Sequence, residues 1–176
     1  MMLPRLRPTL GLVSLASRVG SAALLLVAVP AEAACTDVAA PKVDWRRCTL
    51  DGGDYAGSKL NRAELRDASF SLANLSGADL SEGDAYHAKF LSTNLKGARL
   101  DRANLSEADF TRADLTGASL ADADLRRAHF FRANLRDANL TGAQMGGADL
   151  LNADLSGALW IDGKRRCGAG SFGQCF

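Results

Sequence analysis

The sequence predicts an all-β solenoid in which the backbone turns a corner every five residues. Three observations carry that expectation. Every fifth position from Trp45 reads Trp45, Leu50, Tyr55, Leu60, Leu65, Phe70 and onward to Leu155 and Trp160. These are 24 positions without an insertion, and only Ala85 among them is not large and apolar. Two residues before each stands a small residue, almost always Ala, with Val43, Cys48, Gly53, Ser58, Gly83 and Thr93 as the exceptions. Phe takes the central position only at Phe70, Phe90, Phe110 and Phe130, a strict interval of 20.

A helix cannot use this pattern. Five steps of ~100° leave successive central residues ~140° apart around a cylinder, so they share no face. A two-residue period fails as well, because five is odd. The position between the small and the central residue is usually Asp or Asn, as in Ala73-Asn74-Leu75-Ser76-Gly77, Ala78-Asp79-Leu80, Ala113-Asp114-Leu115-Thr116-Gly117 and Ala153-Asp154-Leu155-Ser156-Gly157. These units resemble the pentapeptide-repeat family, whose repeat is A-(D/N)-L-x-x. The resemblance covers 43–160 and implies a right-handed quadrilateral β-helix, with the central and the small residue pointing inward. Four units then make one coil of 20 residues. The Phe interval tests the four-sided reading independently, since a square coil stacks the four rings in one column and a three- or five-sided coil scatters them. Six coils at ~4.8 Å each give a rod ~29 Å tall.

The chain divides into four parts. Residues 1–33 read as a secretory signal peptide: Arg5, Arg7 and Arg18 precede the apolar run from Ala22 to Val29, and Ala31-Glu32-Ala33 forms an A-x-A site. Cleavage is expected near Ala33. Cys35 raises a lipid-anchored alternative, against which Glu32 stands where an acylated cysteine wants an aliphatic residue. The apolar run is far short of the ~20 residues that span a bilayer, and no second run follows, so no membrane span is expected in the mature form. Residues 34–44 form an N-terminal cap, 45–160 the β-helix and 161–176 a C-terminal cap. The expected location is the periplasm or the exterior.

A lumen of Leu and Ala is expected to be dry and full, leaving no room for a substrate or cofactor. Burial of each Leu contributes ~1.5–3 kcal/mol. Ala85 is the one gap, with Tyr86 beside it. Trp45 and Trp160 stand at the first and last central positions as plugs, because solenoid ends expose core and unpaired edges. Four cysteines in an exported chain read as two disulfides with three connectivities. On a rod of the implied form the ends lie ~29 Å apart, beyond the ~7 Å that a bridge allows. The expected pairs are therefore Cys35–Cys48 and Cys167–Cys175, and a four-cysteine zinc site fails for the same reason.

Lys and Arg number 21 against 20 Asp and Glu, a net charge of +1, which excludes a broadly basic nucleic-acid binder and a uniformly acidic surface. At intervals of 20 the charges alternate, as in Arg62, Glu82, Arg102, Asp122 and in Lys59, Asp79, Arg99. A third column, Asp54, Asn74, Asn94, Asp114, Asn134, Asp154, suits side-chain ladders. The face bearing the Phe column differs: its outward positions include Leu72, Leu91, Phe131 and Leu151 with Arg112 and Arg132 alongside, the makings of a contact surface. His87 and His129 fall in different columns on different coils, and Gly57, Gly77, Gly97, Gly117 and Gly157 belong to corner turns. No catalytic residue, cofactor site or metal site is assigned. Some members of the family bind DNA gyrase as DNA mimics; alternating charge and an export signal set this sequence apart from that pattern. The expected function is a non-catalytic exported scaffold or protein-binding module, with an unknown protein or a second copy as partner and no nucleic acid.

Overall fold

The computed structural model describes residues 35–176, so the signal peptide expected at 1–33 lies outside the described residues. One local geometry recurs along the chain. The carbonyl of each central residue accepts a hydrogen bond from the N–H three residues on, for example Trp45 from Cys48 at 3.1 Å and Phe70 from Ala73 at 3.0 Å. Two residues past each central residue from Trp45 to Leu155 φ is positive, and with Lys42 this makes 24 consecutive corners to Gly157 with φ between 53° and 77°. A bond from the first residue to the fourth, with the third residue left-handed, is a type II turn. Only eight of those 24 corner residues are glycine. Leu72, Arg62 and Arg112 adopt a conformation that L-residues avoid by roughly 1–2 kcal/mol.

Hydrogen bonds between coils hold them there. Each corner residue of coils 1–5 donates its own N–H to the next coil, Arg62 to Ser81 at 2.8 Å and Leu72 to Leu91 at 2.8 Å. Central residues do the same, Leu65 to Asp84 at 2.7 Å, and the Asp/Asn position donates downward, Asp84 to Ala63 at 2.9 Å. All the bridges between coils are parallel and join residues 20 apart, from Asp44↔Glu64 to Asn139↔Leu159. Four bridges per 20 residues give four faces. Face I carries central residues 45 to 145, face II 50 to 150, face III 55 to 155 and face IV 60 to 160, each in steps of 20. Coil 1 is then 43–62 and coil 6 is 143–162.

The Asp/Asn position has a second task. Its Oδ1 accepts the N–H two residues on, as in Ser76 to Asn74 at 3.2 Å and Thr111 to Asp109 at 2.9 Å, so each unit caps its own turn. Where Ser69 and Ser119 stand in that position, the carboxylate comes from the coil below. Asp51 accepts the Ser71 N–H at 2.9 Å and Asp101 accepts the Ala121 N–H at 3.2 Å.

Inside, the central and small residues of coils 2–5 are fully or nearly fully buried. The Phe rings on face II stack nearly parallel, with centroids 5.5, 4.9 and 5.0 Å apart. Below Phe70 the stack ends on Trp45 and Tyr55, whose rings lie 6.3 and 5.9 Å from it. Tyr55 folds over Gly53, where an added Cβ would meet its ring at 2.4 Å. That explains the glycine in a position otherwise filled by Ala. Trp45 is buried, with its Nε1–H left without an acceptor.

The two ends close differently, and Trp160 is not the plug that Trp45 is: it remains partly exposed. Residues 161–176 lack the repeat, so they leave the parallel register and return antiparallel across coil 6, pairing Phe172 with Asp154 and Arg166 with Leu159. This return covers faces III and IV. On faces I and II the last coil keeps Met145 and Leu150 partly exposed.

Candidate interaction surface

Because the lumen is full, the chemistry of the molecule lies on its corners and outward columns. Three of the four corners carry ion pairs. At corner IV–I, Glu82 accepts from Arg62 at 2.7 Å and from Arg102 at 2.8 Å. The Arg62 guanidinium, assisted by Arg102, holds the Glu82 carboxyl below its ordinary range. At corner I–II, His87 meets Asp67 at 2.8 Å, and Glu107 is shared by Arg127 at 3.3 Å and the Tyr86 hydroxyl at 3.0 Å. Beside it on face I, Arg46 and Arg126 hold the carboxyls of Asp44 and Asp124 low. At corner III–IV, Lys96 reaches Asp114 at 3.1 Å and Arg136 reaches Asp154 at 3.2 Å. Burial pushes the Asp114 carboxyl up, and the Thr116 hydroxyl and N–H with Lys96 outweigh it, so the group stays low.

Corner II–III is different. It gathers all six residues of the contact surface expected from the sequence, linked through the backbone. Leu72 N–H donates to Leu91 C=O at 2.8 Å, Arg112 to Phe131 at 2.9 Å and Arg132 to Leu151 at 3.1 Å. Leu72 and Leu151 are 73% and 60% exposed. Leu91 and Phe131 are half-buried, whereas Leu151, in the same column, is exposed on the last coil. Arg132 sits 5.0 Å above the Phe131 ring. Among the described residues neither Arg112 nor Arg132 has an ion-pair partner, and Phe172 of the cap adds a further exposed ring at the end of the corner.

The four expected cysteines form two disulfides, Cys35–Cys48 at the first coil and Cys167–Cys175 within the C-terminal return. No described cysteine is free.

Sequence spacing did not bring the histidines together, but the fold does. His87 on corner I–II and His129 on face II line one shallow groove with Lys89, Glu107, Asp109 and Arg127. The two columns run two residues apart on every coil, as 87/89, 107/109 and 127/129, so they line the groove together. Their signs alternate across the groove, and no group of three or more described His, Cys, Asp or Glu residues is arranged to hold a metal ion. No helix among the described residues is long and apolar enough to cross a membrane. The geometry offers rigid surfaces for recognition.

The register defines the class: a four-sided parallel β-solenoid with five residues to a side. The pentapeptide repeats family matches in eight copies over residues 56–84, 93–130 and 128–158, more than half of the chain, and the chain belongs to that family. Pentapeptide-repeat proteins fold as right-handed quadrilateral β-helices. Among solved structures, the chain is 31% identical to HetL, a pentapeptide repeat protein involved in heterocyst differentiation regulation from the cyanobacterium Nostoc sp. strain PCC 7120, over 70% of this chain and 68% of that one, with a TM-score of 0.33. It is 29% identical to the pentapeptide repeat protein Rfr23 from the cyanobacterium Cyanothece 51142, over 66% and 84% of the two chains, with a TM-score of 0.43. It is 18% identical to a trypsin-treated form of QnrB1, a plasmid-mediated fluoroquinolone resistance protein, over 66% and 71%, with a TM-score of 0.36. No curated protein matches the chain.

Proposed function

We propose that this chain is a non-catalytic, exported pentapeptide-repeat protein that acts as a rigid scaffold or protein-binding module in the cell envelope. The observation that carries the reading is the contrast among corners: three carry ion pairs, while corner II–III presents apolar side chains and two arginines without an ion pair. Pentapeptide-repeat proteins are in general structural or binding proteins, which supports the same reading. Export is supported by the signal-like residues 1–33 and by a disulfide at each end, bonds that persist in oxidising compartments. A gyrase-binding role has no comparable support, because the ion pairs alternate in sign between neighbouring coils and leave no continuous acidic face.

Fractionation of the native host with thiol titration of the purified protein tests the compartment. The expected outcome is a processed chain outside the cytoplasm with no free thiol. A full-length, reduced protein in the cytoplasm overturns the assignment. Crosslinking in intact cells tests the module itself, and an adduct that disappears when Phe131→Asp is introduced is the expected result.

A further inference from the structure

We propose that corner II–III is a docking ridge for an acidic, leucine-bearing helix of a partner protein. The inference rests on the binding-module reading above and adds the chemistry of the partner.

The ridge is continuous and regular. Its backbone bonds run Leu72 to Leu91, Ser92 to Thr111, Arg112 to Phe131 and Arg132 to Leu151, at 2.8, 3.0, 2.9 and 3.1 Å. Along the rod the exposed side chains read apolar, hydroxyl, cationic, cationic, apolar. Leu72 lies on coil 2, Ser92 on coil 3, Arg112 on coil 4, Arg132 on coil 5 and Leu151 on coil 6. The chain supplies no anion of its own to either arginine, whereas Arg62, Arg102, Lys96 and Arg127 on the other corners each meet one. Arg132 is also held over Phe131 at 5.0 Å, so its guanidinium is aimed in advance of any contact.

The flanks choose the class of ligand. Asp109 and Asp149 stand in the outward column of face II, and Asp114 and Asp154 in that of face III. The face II column also holds Lys89 and His129, and Asp114 and Asp154 are already paired with Lys96 and Arg136. The flanks therefore add no broad charged surface, and the free cationic charge is confined to one narrow line. That line suits a single chain segment lying on the crest. A helix suits that crest, because its ~5.4 Å turn nearly matches the ~4.8 Å step of the coils. One side chain per turn then meets one coil, and the complementary stripe over five successive turns is Leu, Ser opposite Ser92, Glu, Glu, Leu.

Two synthetic helices test this against the folded, disulfide-bonded protein by amide NMR titration, one with the Leu-Ser-Glu-Glu-Leu stripe and one with Leu-Ser-Lys-Lys-Leu. The Glu helix is expected to bind about ten-fold tighter or better, with shifts confined to residues 72, 91–92, 111–112, 131–132 and 151–152. That advantage is expected to vanish in Arg112→Glu/Arg132→Glu, to fall in Arg112→Gln/Arg132→Gln, and to fade at about 0.5 M salt, where screening reaches within a few ångströms. Equal binding of the two helices, or shifts centred on another face, overturns the proposal. So does anionic-vesicle binding (equal phosphatidylglycerol and phosphatidylcholine) that the Glu variant loses, which makes the ridge a membrane contact. A dimer that the same variant dissolves makes the occupant a second copy. An in-cell adduct that survives Arg112→Glu/Arg132→Glu removes the ridge and leaves the module. A cytoplasmic protein that still prefers the Glu helix removes the export reading and leaves the ridge.

Discussion

Corners IV–I and II–III are built on the same backbone. Both are type II turns with a left-handed third residue, both are stitched to the next coil by that residue's N–H, and both repeat every 20 residues. Their side chains part company. Corner IV–I closes Arg62, Glu82 and Arg102 into a ladder across three coils, whereas corner II–III stacks Leu72, Arg112 and Arg132 with nothing to close them. Stability and recognition have therefore been assigned to different edges of one frame, and neither corner had to change its geometry.

The frame common to both can be broken first. Phe110 is wholly buried, with rings 4.9 and 5.0 Å on either side. Phe110→Ala is expected to destabilise by about 3–5 kcal/mol, read by urea unfolding followed by circular dichroism. A loss under about 1 kcal/mol means that neighbouring rings collapse into the space, and that the lumen is less rigid than the comparison assumes. The next effect in size is at the C-terminal return. Cys167→Ser/Cys175→Ser, which opens a loop of eight residues, is expected to cost about 2–3 kcal/mol by the loop-entropy account. The thermal midpoint checks it.

Smaller changes separate the corners themselves. Glu82→Gln is expected to lower the thermal midpoint at low ionic strength, with the loss shrinking as salt is added. Arg112→Gln is expected to leave the midpoint unchanged at any salt, and a matching loss there would mean that corner II–III has an internal partner after all. Acid sharpens the same distinction. Asp44, Glu82 and Asp124 titrate lower in the folded chain than unfolded, so the unfolded state binds more protons as pH falls. Their stabilisation is present above the ordinary carboxylate range near pH ~4 and is lost as pH drops through their folded values. The midpoint of Glu82→Gln is expected to fall less steeply with acid than that of the parent chain. The smallest effect is at Leu72. Leu72→Gly removes left-handed strain but adds freedom to the unfolded chain, and a net change within about 1 kcal/mol is expected.

Much of this was legible in the sequence. Leu65, Leu80 and Phe90 stand at an unbroken interval of five, and an interval that fits neither helix nor strand leaves only a chain that bends at each unit. The stack of Phe70 to Phe130 was legible for the same reason. The left-handed corners were not. Gly77 and Gly97 announce such a turn, while Arg62 and Leu72 adopt it only because hydrogen bonds to the next coil enforce it, and that force is absent from local sequence. The groove shared by His87 and His129 was hidden because they are 42 residues apart, two coils and two residues, so no interval of 20 links them. The antiparallel return of 161–176 was hidden too, since a segment without a repeat carries no register to read. Asp51 and Asp101 were within reach: each lies 18 residues before a Ser in the Asp/Asn position, a spacing that has meaning only once the coil length is known.

That the corner geometry comes from the ladder rather than from the corner residue has a consequence for how such a chain can change. Arg, Leu, Ser, Asp, Glu, His, Asn, Lys and Gly all occupy the left-handed position here at nearly the same φ. Each corner is in effect a blank character in a fixed line of type. Successive substitutions can write one edge into a charge ladder and another into a reading edge, and the lumen need not register the difference.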